Sequence, residues 1–137
     1  MKTPFILVVD AYPLAFLNND VEEILVGLGL VLGETCRVVA PQDAEATLWQ
    51  QSELLGSENL LIFMSTFYGS IEPAVALSQK IKAANPCAHI VLRSNMRLEE
   101  RYKSLFSRAI KKGNVIEGED PLVEIIREFM ASIQATK

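Results

Sequence analysis

Apolar residues fall along this chain in short solid runs, separated by longer stretches where they recur every three or four positions. The solid runs are "FILVVD" (Phe5–Asp10), "CRVVA" (Cys36–Ala40), "NLLIFMS" (Asn59–Ser65) and "AHIVLRS" (Ala88–Ser94). Runs of this kind suit strands covered on both faces. Between the first two, Leu14, Leu17, Val21, Ile24, Leu25, Leu28 and Leu32 keep helical spacing. They predict one long helix from Pro13, which suits a first turn, to Gly33, which suits an end. A later start is the alternative, with Asp20 as N-cap and Glu23 as its capping-box partner. The stripe through Leu14 and Leu17 favours the single helix.

The remaining segments follow the same rule. Asp43 can cap a helix over "AEATLWQQSELLG" that stops at Gly56, and "EPAVALSQKIKAA" is a third helix with Pro73 near its start. "MRLEERYKSLFSRAIKKG" (Met96–Gly113) reads as a fourth helix and "NVIEG" (Asn114–Gly118) as a fifth strand. Pro121 opens a last helix, capped by Asp120, with Leu122, Ile125, Ile126, Phe129, Met130 and Ile133 in one stripe. Strand and helix thus alternate five times. The pattern predicts an α/β domain with a five-stranded parallel sheet, doubly wound, in the order 2-1-3-4-5.

Composition narrows the classes. The 137 residues fit a single domain spanning 1–137, and half of them are hydrophobic, enough for a real core. No apolar run reaches the ~18 residues of a membrane span, and the N-terminus lacks signal-peptide features. The expectation is a soluble, cytoplasmic protein with no membrane association. Net charge is −4, with −7 in residues 1–60 and +3 in 61–137. That balance argues against a nucleic-acid partner. Cys36 and Cys87 have no CxxC spacing, and His89 is the only histidine, so no metal site is expected. There is no G-x-S-x-G elbow and no P-loop, and no enzymatic activity is expected.

The layout resembles the receiver domain of bacterial response regulators. "ILVVDAYP", "IKAANPCAHIVLRS" and "AIKKGNVIEGEDPLVEII" carry the resemblance, in that order. In that family two acids after the first strand hold a divalent metal. An aspartate ending the third strand takes the phosphoryl group, a serine or threonine ends the fourth, and a lysine ends the fifth. Here Asp10 matches the first acid and Ala11 stands at the second. The acceptor position falls on Met64, Ser65 or Thr66, none of them a carboxylate. Ser94 matches the hydroxyl position, and the lysine position falls near Gly118, where no lysine lies. The degenerate pocket is therefore Asp10, Ser65, Thr66 and Ser94. The resemblance implies a pseudo-receiver: a non-catalytic regulatory or protein-interaction module without cofactor, acting on a protein partner or as a homodimer.

Two further readings come from the same residues. "MSTFYGSIEP" is similar to the flavin loop of flavodoxin-type domains, where Phe67 or Tyr68 would stack on FMN in an electron-transfer domain. Against it, "DAYPLAF" after the first strand offers no glycine or hydroxyl to cradle phosphate. On the predicted fourth helix, Arg97, Arg101, Arg108 and Lys112 fall within an arc of about 60°. Leu98, Tyr102, Leu105, Phe106 and Ala109 lie beside it. Arg97, Arg101, Tyr102 and Arg108 are the interaction face this predicts, suited to an acidic partner; a plain solvated surface is the alternative.

Overall fold

The computed structural model describes residues 4–95 and 97–135. Five strands form one parallel sheet: β1 (Phe5–Val9), β2 (Cys36–Val39), β3 (Leu60–Met64), β4 (His89–Arg93) and β5 (Arg108–Ile110). Their spatial order is β2-β1-β3-β4-β5, as the alternation predicts. β1 and β3 lie side by side at the centre, and both are buried along their whole length. The connecting segments divide between the two faces, because alternate side chains of a strand point to opposite sides.

On one face, Leu7, Ile62, Met64 and Leu92 meet α3 (Pro41–Gln50), α4 (Ser52–Leu55) and α5 (Glu72–Ala84). On the other, Ile6, Val8, Phe63 and Val91 meet α2 (Asn19–Gly27) and α6 (Leu122–Ala135). α5 keeps the predicted bounds, and α6 buries the predicted stripe through Leu122, Ile125 and Ile126.

Besides α3, which starts at Pro41 with Ala40 rather than Asp43 at its N-cap and breaks at Gln51 before α4, two regions differ from the sequence reading. The first predicted helix is broken. A single turn, α1 (Pro13–Phe16), ends at Leu17, and α2 begins afresh with Asn18 as N-cap. The Asn18 side chain accepts from the Asp20 and Val21 N–H groups at 3.0 Å, which satisfies two donors a helix start otherwise leaves open. That local bond outweighs the continuity of the apolar stripe. α1 buries none of its residues, and Leu14 is 90% exposed.

The second difference is larger. Residues 97–113 form no α-helix; they hold one 3-10 turn, Glu100–Tyr102, and then β5. Met96, where the predicted helix begins, lies outside the described residues. Pairing with β4 explains the change. Val91, Leu92 and Arg93 pair with Arg108, Ala109 and Ile110. The Ser94 N–H donates to the Ile110 carbonyl and the Ser107 N–H to that of Ile90. A helix through these residues would leave the buried edge of β4 without partners. Leu98, Tyr102, Leu105 and Phe106 still reach the core, from an irregular segment. The predicted fifth strand, 114–118, is a turn in which the Asn114 side chain accepts from the Glu117 N–H and Gly118 has φ +76°.

Cysteine chemistry follows from position in the sheet. Cys36 pairs with Ile6 in register and is buried, and burial pushes its thiol pKa up to about 12. Cys87 lies in an exposed turn. Ellman's reagent should therefore titrate one thiol quickly in the native protein and the second only after denaturant is added. Equal rates for both thiols under native conditions would contradict this burial.

Candidate functional site

The carboxyl ends of the central strands carry a row of polar residues on the face shared with α2 and α6. Register extends the row from Asp10, past Ser65, to Arg93, since Val8 pairs with Phe63 and Met64 with Leu92. Met64 points the other way, into the core. Of the three residues considered for the acceptor position, Ser65 and Thr66 border the cavity at this end of the sheet.

Arg93 organises the row. Its Nη1 donates to Asp10 Oδ2 at 3.0 Å, and its Nε and Nη2 both lie 2.6 Å from Asp120 Oδ2. All three side chains are buried, and the Phe16 ring of α1 covers the guanidinium at 4.9 Å. Lys112 Nζ completes the set, 3.1 Å from Asp10 Oδ2. Burial pushes the Asp10 carboxyl up. The Tyr12 N–H, Lys112 and Arg93 outweigh it and hold the group below its ordinary value of 3.8.

Asp120 ties the row to two elements at once. Its Oδ1 accepts from the Leu122 N–H at 3.0 Å, capping α6 as predicted, and its Oδ2 accepts from the Gly113 N–H at 3.1 Å. The turn folds tightly there: a Cβ on Gly113 would lie 2.9 Å from the Glu119 carbonyl oxygen.

The lysine assignment near Gly118 is thereby corrected. Because β5 ends at Ile110, the positions just past the fifth strand are Lys111 and Lys112, and Lys112 faces Asp10. Arg93 was the residue sequence reasoning missed. Its signal was a charge ending an otherwise apolar strand, with acids ending other segments at Asp10 and Asp120.

These residues do not fit a divalent metal. Asp10 Oδ1 accepts from the Tyr12 N–H at 2.8 Å, and its Oδ2 is shared by two cations. Ala11 offers no second carboxylate. Among the described residues, no group of three His, Cys, Asp or Glu side chains could hold a metal.

The flavin reading gains no support. The loop after β1 offers no phosphate cradle: its Tyr12 N–H is taken by Asp10 and Pro13 has no N–H. Phe67 packs against the core, and the Tyr68 hydroxyl donates to Gln42. Tyr68 and Gly69, at φ +52° and +91°, form a tight turn closed by paired Phe67 and Ser70 backbone bonds.

The predicted basic face loses its common helix. Arg101 is exposed, pairs with Glu99 at 2.6 Å and stacks on the Tyr102 ring. Arg108 sits on β5 and pairs with Glu128 at 3.6 Å, while Lys112 turns inward to Asp10. Arg97 is exposed. With no common helix, the helical spacing that aligned the four cations does not apply.

No family model matches the chain, and no curated protein matches it. Solved structures do. A response regulator from Thermotoga maritima is 20% identical, with a TM-score of 0.59, over 94% of this chain and 98% of that one. A response regulator protein from Burkholderia pseudomallei is 15% identical, with a TM-score of 0.53, over 97% of this chain and 72% of that one. The latter structure carries a phosphorylated aspartic acid, a calcium ion and citrate. At these identities the likeness is one of fold: the chain adopts the five-stranded, doubly wound fold of response-regulator receivers.

Proposed function

We propose that this chain is a regulatory or protein-interaction module of receiver fold that carries no aspartyl phosphate. The observation behind this is the Arg93 cluster. Where a receiver would offer an acceptor carboxylate, the row holds Ser65. Asp10 is neutralised by Arg93 and Lys112 within 3.1 Å. A serine nucleophile needs an adjacent base. Asp10, held below its ordinary value, is a poor one.

The output is then binding of a protein partner or of a second copy. Segment 97–108 would contribute the exposed Arg97, Arg101 and Arg108 beside the half-buried Tyr102, with Arg101 and Arg108 already paired with acids of the same chain. A partner would meet a largely neutralised surface there. Two free thiols fit a reducing, cytoplasmic setting. No helix among the described residues is long and apolar enough to cross a membrane.

Acetyl phosphate with Mg²⁺ should leave the intact mass unchanged over hours. A stoichiometric gain of one phosphoryl group, whether labile to hydroxylamine or stable in acid, would overturn the proposal.

A further inference from the structure

We propose that α1 is a strap that opens apart from the rest of the domain and is latched shut by the Phe16 ring on Arg93. Its opening uncovers the buried ion cluster and moves an exposed apolar surface, Tyr12 and Leu14. The use of that movement as regulation rests on the function proposed above; the movement itself does not.

Little besides the latch holds this turn. α1 is four residues long, is bounded by non-helical backbone at Tyr12 and Leu17, and has no side-chain cap at its start. Isolated helices below ~12 residues are marginal in water. None of its residues is fully buried, and Tyr12 and Leu14 are 69% and 90% exposed. Two backbone bonds close the turn, from the Phe16 N–H to the Tyr12 carbonyl and from the Leu17 N–H to that of Pro13, each 2.9 Å. α2 does not depend on it, because Asn18 starts that helix with its own side chain.

The polar ties of the strap run to the ion cluster at both ends. At its start the Tyr12 N–H donates to Asp10 Oδ1 at 2.8 Å. At its end the Phe16 ring, half-buried against the core, lies 4.9 Å from the Arg93 guanidinium. That guanidinium is shielded from water, where attraction to a ring face is strongest. Tyr12, Ala15 and Phe16 also wall a cavity of about 310 Å³ that Asp10 and Arg93 border. Lifting this wall lets water reach two charges that are now buried. The coupling is reciprocal: whatever draws Arg93 from the ring favours the open strap, and whatever holds the strap shut steadies the cluster.

The test is amide hydrogen exchange of the whole chain, read residue by residue from ¹H–¹⁵N spectra. In the wild type the Tyr12, Phe16 and Leu17 amides should open together, protected about 10- to 1,000-fold over an unfolded chain. The β1 amides should be protected far more, since they open only with the sheet. Phe16→Leu keeps an apolar side chain but removes the ring. It should speed exchange of the three amides about tenfold and leave α2 and β1 within about threefold. Phe16→Tyr retains the ring and should keep the strap closed. Leu14→Ala, on the exposed side of the same turn, should leave it unchanged. The proposal fails if the three amides are as protected as β1, or no more protected than an unfolded chain. It also fails if Phe16→Leu has no effect, if either control variant speeds exchange equally, or if α2 loses protection with α1. The acetyl phosphate test is separate: a phosphoryl gain there sinks the proposed function and leaves the strap standing, while a failed exchange test sinks only the strap.

Discussion

Arg93→Met should lower stability by about 3–5 kcal/mol, the cost of leaving buried charge without its partner. The Asp120 side chain is fully buried and loses its only described cation, while Asp10 keeps Lys112. Urea denaturation followed by circular dichroism would read this as a shifted midpoint at unchanged slope. A loss below about 1 kcal/mol would show that the cluster contributes little. Adding Asp120→Asn should recover part of the loss, because removing both charges of a buried pair costs less than removing one. The pH response follows from Asp10. A carboxyl held below its ordinary 3.8 adds stability above that value, and the contribution disappears as pH falls through the folded value. In the wild type, stability should therefore fall on the acid side of 3.8.

Asp120→Ala should cost about 2.5–4 kcal/mol, combining a lost helix cap of about 1 kcal/mol with lost charge-assisted bonds of about 1.5–3. Three donors converge on this carboxylate: the Arg93 guanidinium, the Gly113 N–H and the Leu122 N–H. Asp120→Asn separates the two effects, since an amide oxygen can still cap α6 while the charge is gone. It should cost less than the alanine change and preserve protection of the first α6 amides against hydrogen exchange. Equal losses for both variants, with those amides protected in each, would show that the side chain does not cap the helix.

Long-range pairing separates what was legible from what was not. Four strands announced themselves as apolar runs, because a strand covered on both faces must be apolar throughout. The exception is β5, three residues long, of which only Ile110 is buried. Its Arg-Ala-Ile fits a helical stripe as well as a strand, and only the open edge of β4 selects between them. The misplacement of β5 then carried the lysine position with it. Likewise Asn18 falls inside the single helix predicted from Pro13 to Gly33, while its side chain starts a new helix.

The site divides along the same line. The strand-end positions of Asp10, Ser65, Thr66 and Ser94 were legible because such ends are marked by where an apolar run stops. Alternation of strand and helix was enough for the sheet order, since right-handed crossovers leave few alternatives. The Asp10–Arg93–Asp120–Lys112 cluster was not recognisable, because its members lie up to 110 residues apart and meet only through sheet register and the turn after β5. Hydrophobic periodicity is a local property of the chain; the pairing of buried charges depends on which strand ends become neighbours, and that exists only once the sheet has formed.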